Sequence, residues 1–113
     1  GVLTWSPRAR LVNHVDEGHL RAAGIKLVFG ALWPPNALRP GRSALEESLD
    51  QVDALDAFVL RRPGFKVVHS AAEAREAVAH DFIAVLPQLE GGEGISHVDD
   101  VDLLYAAGVR CLT

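Results

Sequence analysis

The sequence predicts an α/β fold built on a parallel sheet. Short apolar runs alternate with amphipathic stretches along the chain, which is the rhythm of βαβ units. The apolar runs are near-continuous rather than interleaved with polar residues, as strands covered on both faces require. Serine or aspartate stands at the start of the amphipathic stretches, where a helix needs an acceptor for its unpaired amides.

The elements follow in order. The opening GVLTW reads as the continuation of something upstream. Asp16 is placed to cap a short helix, EGHLRAA, which Gly24 ends. IKLVFGAL (25–32) is β-branched and aromatic enough for a strand. WPPNALRPGR (33–42) is a Pro- and Gly-rich loop. Ser43 and Glu46 then have capping-box spacing, and Leu45, Leu49, Val52, Leu55 and Val59 recur at threes and fours. That pattern is the apolar face of a long helix, stopped by Pro63 and Gly64. KVVH (66–69) is the second strand; Ser70 and Glu73 repeat the capping-box spacing before the Ala-rich helix AAEAREAVAH. Phe82–Leu89 is the third strand. Pro87 lies inside it and can donate no ladder bond, so regular pairing is expected to end near Leu86, with Gln88–Glu90 at the strand's carboxyl end or in a bulge. Asp99 or Asp100 caps the helix VDLLYAA, Gly108 suits its C-terminal turn, and VRCLT (109–113) is the fourth strand.

The bulk properties narrow the classes. A chain of 113 residues, about half apolar, suits one domain with a core. Net charge is −4, and no basic cluster with interleaved aromatics points to nucleic acid. No apolar run reaches the length of a membrane span. No signal-peptide pattern opens the chain, and with a single cysteine the expected compartment is cytoplasmic. Cys111, being alone, excludes an internal disulfide framework and a cysteine zinc cage; in the run VRCL a buried structural thiol is expected. Four parallel strands with two open apolar edges would be exposed. Residues 1–113 are therefore expected to form a single segment of a larger α/β domain, truncated at both ends, or to have a partner covering those edges.

The stretch LPQLEGGEGISH (86–97) carries the main functional signal. Parallel α/β folds gather functional groups at the carboxyl ends of strands, which is where Glu90 falls. Gly91 and Gly92 remove side chains beside it, so a ligand can approach an anionic group with free space around it. The alternative is a surface glutamate before an ordinary glycine turn. GGEG has neither the spacing of a phosphate loop nor that of a dinucleotide fingerprint. His97, Asp99, Asp100 and Asp102 are explained as a solvated helix start, and His80 as a helix-end cation. NHVDEGH offers His14 and Asp16 in an H-x-D order that could bind metal if extended, or an ordinary helix cap if not. His69 stands at the carboxyl end of the second strand, the right end for a ligand, although Ser70 turns the chain at once. Trp33 follows the first strand and would line a substrate mouth or simply pack.

The segments VDEGHLRAAGIKLVFGALWPP and VHSAAEAREAVAHDFIAVLPQLEGGEGISHVDDVDLLYAAGVRCLT resemble the membrane (renal) dipeptidase family, whose order of helix, apolar strand, EGG, helix and GxRYLT recurs here nearly throughout. The resemblance implies an N-terminal-half fragment of a (β/α)8 zinc metallopeptidase barrel. It implies hydrolysis of short peptides through a metal-activated water, with two zinc ions bridged by the EGG glutamate, which only Glu90 matches. The family's H-x-D pair would precede Gly1 and its two histidines would follow Thr113, so most ligands lie outside this chain and the segment alone is expected to be inactive. Where the family often has histidine three residues after that glutamate, this chain has Glu93. The implied partners are a short peptide and the remaining barrel segments or a second copy. Two alternatives stay open: a non-catalytic α/β interaction module that keeps the barrel segment without the metal site, and a flavodoxin-like binding domain without a phosphate loop.

Overall fold

The computed structural model describes residues 15–34 and 39–113. Their order is α1 (Glu17–Ala22), β1 (Leu27–Leu32), α2 (Ala44–Leu60), β2 (Phe65–Val67), α3 (Ala71–Ala79), β3 (Ile83–Leu89), α4 (Val98–Ala107) and β4 (Cys111–Leu112). The expected alternation is present and every pairing is parallel.

Everything is organised around β3. Along one edge it pairs with the whole of β1, from Leu27 opposite Ala84 to Leu32 opposite Leu89. Along the other edge two short strands share it end to end. β2 takes the lower part, Ile83–Val85, and β4 takes the upper part, Gln88–Leu89. At the carboxyl level the sheet therefore reads β1-β3-β4 in chain order, consistent with consecutive staves of a (β/α)8 barrel. β2 is an additional short strand beneath β4.

This division of the edge explains Pro87, which stays within the strand instead of ending it. Even-numbered residues of β3 direct their backbone groups to β1: Ala84 donates to the Lys26 carbonyl at 2.9 Å and Glu90 to that of Leu32 at 2.8 Å. Odd-numbered residues face the other edge, where Val85 accepts from Val68 (2.9 Å) and Leu89 from Thr113 (3.0 Å). The Pro87 nitrogen thus points to the place where β2 has ended and β4 begins, and a missing donor breaks no ladder there. Its carbonyl still accepts from Arg110 at 3.1 Å.

The two faces differ. On one, α2 lays Val52, Leu55 and Val59 over Leu32, Val85 and Leu89, joined by Leu104 and Val109. Val52 and Leu89 are 1% and 0% exposed, and burial of such a side chain is worth about 1.5–3 kcal/mol. The helix is held at its start as the sequence predicts: the Ser43 hydroxyl accepts from the Glu46 amide and the Glu46 carboxylate accepts from the Ser43 amide. On the other face α3 covers only the base, with Ala77 against Val68 and Ala84. Higher on that face Leu27, Phe29 and Ala31 of β1 are exposed. Among the described residues the expectation of a sheet covered on both faces is met at the base, where the nine residues of α3 lie, and not above it.

Helix starts differ from expectation in two details. At α3, Ser70 accepts from Glu73, but Glu73 reaches past Ser70 to the amide of His69 (2.8 Å). At α4 the cap position is His97, and Asp100 works from inside the helix, accepting from the amides of Ser96 (2.8 Å) and His97 (2.9 Å). Cys111 is half-buried rather than buried. Among the described residues no helix is long and apolar enough to cross a membrane.

Candidate functional site

Side chains of β3 alternate between faces, and residues opposed in parallel register share a face. Ile83, Val85 and Leu89 belong to the side covered by α2. Ala84, Leu86 and Gln88 lie on the other side with Leu27, Phe29 and Ala31 of β1. Glu90 continues this second set one rung beyond the end of β3, since its amide still bonds to Leu32 in the ladder. Glu90 is exposed. It stands at the carboxyl tip, on the open side, above a surface made by Phe29, Ala31 and Leu86.

Its backbone is fixed from both directions. The amide of Glu90 is tied to β1, and the amide of the next residue, Gly91, donates to the Thr113 carbonyl at 2.6 Å. Gly91 has φ +84°, a conformation that side chains disfavour. It also leaves room for a neighbour: a Cβ there would lie 2.1 Å from the Glu93 carboxylate, which folds back over it. Gly94 is needed for a different reason, because a Cβ there would meet the hydroxyl of the fully buried Ser48 of α2 at 2.6 Å. Beside Gly92 the space is open. The glycines thus permit the turn and seat it on α2.

Trp33 stands level with Glu90, because each follows a residue of the paired couple Leu32 and Leu89. It is 53% exposed. Its backbone is held by Gln51 of α2, whose side-chain oxygen accepts from the Trp33 amide and whose nitrogen donates to the Trp33 carbonyl, both at 2.7 Å. Farther along the same connection Arg39 and Arg42 both pair with Glu47 and Asp50 of α2. Hydrogen bonds from Arg39 foremost hold both carboxyl groups below their usual range. The segment after β1 is therefore fastened to α2 at both ends of its described part.

The other sequence candidates lie elsewhere. Asp16 caps α1, where its carboxylate accepts from the His19 amide (2.9 Å) and pairs with the His19 ring (3.0 Å); the amide bond is the first cause of its lowered pKa. Helix α1 in turn places Arg21 on the carbonyls of Gly64 and Asp81, the entrances to β2 and β3. That is the amino end of the sheet, opposite Glu90. His14 lies outside the described residues. His69 is on neither the level nor the side of Glu90. Its ring lies against Gly108, and its carbonyl accepts from Arg110 Nε at 3.1 Å, at the level of Pro87. That is roughly 10 Å below the tip. The reason is the shortness of β2, which ends opposite Val85.

The structure adds two residues that sequence reasoning passed over. Gln88 shares the open side with Glu90, and its side-chain nitrogen donates to the Thr113 hydroxyl. Alternation counted back from Glu90 points to Gln88; Thr113 is found only through the β3–β4 register.

Among the described residues the Glu90 carboxylate takes no hydrogen bond or ion pair, and the Glu93 carboxylate folds over the adjoining Gly91. Glu90 suits a metal ligand or bridge, since a carboxylate offers two hard oxygens. Among the described residues no group of three or more His, Cys, Asp or Glu side chains is arranged to hold a metal ion. Further ligands would have to come from outside them.

Comparison with known proteins gives a consistent picture. A family model for membrane dipeptidases, peptidase family M19, matches residues 5–113. Among solved structures, the dipeptidase AC, a metallo peptidase of family M19, aligns with a TM-score of 0.72 at 26% identity, over 88% of this chain and 32% of that one. The chain thus spans about a third of that relative's length. No curated protein matches the sequence.

Proposed function

The chain belongs to the membrane dipeptidase family, peptidase family M19, and from that premise we propose that it supplies one wall of the active site of a zinc-dependent dipeptidase-like hydrolase acting on short peptides. Residues 1–113 would be a single segment of one (β/α)8 barrel domain, with the other staves and most metal ligands contributed from outside them. The observation that carries the reading is the position of Glu90: an exposed carboxylate at the tip of the central strand, unpaired among the described residues, on the side of the sheet that the long helix does not cover.

Glu90 would hold and bridge two zinc ions, its negative charge offsetting the repulsion between the cations. When bound, such a pair supplies an activated water and polarises the carbonyl to be cleaved. The rest of the work falls to this chain's own residues. Trp33, fastened through Gln51, gives one side of the mouth an apolar wall against which a peptide side chain can rest. Phe29, Ala31 and Leu86 would give the mouth an apolar floor once the remaining staves close over them. A lone carboxylate does not retain two zinc ions, so residues 1–113 by themselves would be inactive.

The test is zinc content and dipeptide hydrolysis in the full-length protein. The parent should hold about two zinc ions per chain, and Glu90→Ala should lose zinc together with hydrolysis while keeping the fold. Unchanged zinc content in Glu90→Ala would overturn the bridging role and leave the non-catalytic module as the better account.

A further inference from the structure

We propose that Gln88 and Thr113 are positioning residues for the Glu90 carboxylate; the inference rests on the bridging role proposed above and extends it to how that carboxylate is aimed. Three bonds converge on Thr113. Its amide donates to the Leu89 carbonyl at 3.0 Å, its carbonyl accepts from the Gly91 amide at 2.6 Å, and its hydroxyl accepts from the Gln88 side chain. The residues it grips are therefore those two before, one before and one after Glu90. On the other edge the Glu90 amide is bound to Leu32 at 2.8 Å.

Glu90 is thus suspended between two strands. Its φ is set by the bond to β1, and its ψ by the bond from Gly91 to β4. Side chains assist both attachments: Gln51 holds the peptide unit that joins Leu32 to Trp33, and Gln88 holds Thr113. β4 pairs with β3 through Cys111 and Leu112, flanked by the backbone bonds of Arg110 to Pro87 and Thr113 to Leu89. The Gln88–Thr113 bond adds a cross-strand tie at that point. Both partners lie on the open side, Gln88 one rung below Glu90 and Thr113 level with it. A bridging ligand tolerates little misplacement, because its two oxygens must meet two cations at once. Loss of the tie should therefore appear in zinc affinity before it appears in stability.

The experiment measures zinc affinity by chelator competition, alongside thermal unfolding, in the full-length protein. Thr113→Val removes the hydroxyl and keeps the β-branched shape; Gln88→Leu removes the donor. Each should weaken zinc binding about ten-fold or more, with a thermal midpoint close to the parent in the zinc-free state. Thr113→Ser, which retains the hydroxyl, should bind zinc like the parent. Gln88→Glu should recover part of the loss, since the threonine hydroxyl can donate to a carboxylate instead, and it decides the matter should Thr113→Val fail to fold. Zinc affinity unchanged in Thr113→Val and Gln88→Leu, with Glu90→Ala still defective, would overturn the positioning role and leave the bridging role standing. Unchanged affinity in Glu90→Ala would overturn both.

Discussion

The two ends of β3 are built for different purposes. At the amino end, Ile83, Ala84 and Val85 are 1%, 0% and 4% exposed, with α2 on one side, α3 on the other, and β1 and β2 at the edges. At the carboxyl end the α2 side stays closed through Leu89, while the other side opens at Gln88 and Glu90. One strand thus anchors the fold at its base and presents a carboxylate at its tip. Among the described residues nothing pairs with that carboxylate, which remains in contact with water. Among the described residues α3 covers that side only at its base, against Val68 and Ala84.

That contrast can be broken from either end. The largest effect on stability is expected at the base, where Ile83→Ala should cost about 2–5 kcal/mol in urea unfolding, while zinc affinity per folded molecule stays near the parent value. At the tip, Gly91→Ala should cost about 1–3 kcal/mol by forcing alanine into a left-handed conformation, and it should also weaken zinc binding. Adding Glu93→Ala to that variant relieves the contact with the carboxylate but not the backbone strain, so only part of the loss should return. Ser43→Ala loosens α2, which covers both ends alike; about 1 kcal/mol of stability should go and zinc binding should not move.

The smallest effect concerns pH. The amides of His97, and then of Ser96, hold the Asp100 carboxyl below its ordinary value of 3.8. A group whose folded pKa is depressed stabilises the protein above the unfolded pKa, and that contribution disappears as pH falls through the folded value. Asp100→Asn should therefore make stability less dependent on pH below about 4 and leave neutral zinc binding intact. A change in zinc affinity from this substitution would mean that the α4 start and the Glu90 tip are coupled, contrary to the separation described here.

Much of the fold was legible in the sequence. The apolar period of α2 is local, and so are the serine caps, which is why those elements lie where periodicity and capping predict. The place of Glu90 at the end of β3 was legible for the same reason: a strand end followed by glycines is a local signal. What escaped was non-local. That Pro87 could remain in β3 depends on β2 and β4 dividing one edge, which no window of sequence reports. The low position of His69 follows from the three-residue length of β2. H-x-D spelling made Asp16 attractive, yet the helix after it claims the carboxylate. Thr113 drew no notice, because its importance lies in partners 22 to 25 positions away.

The most direct measurement is a crystal structure of the full-length protein grown with zinc. The account predicts two zinc ions at the carboxyl tip of β3, each with one Glu90 oxygen at about 2.0–2.2 Å, and Trp33 beside them. Zinc bound elsewhere, with the Glu90 side chain turned away from it into solvent, would contradict the account.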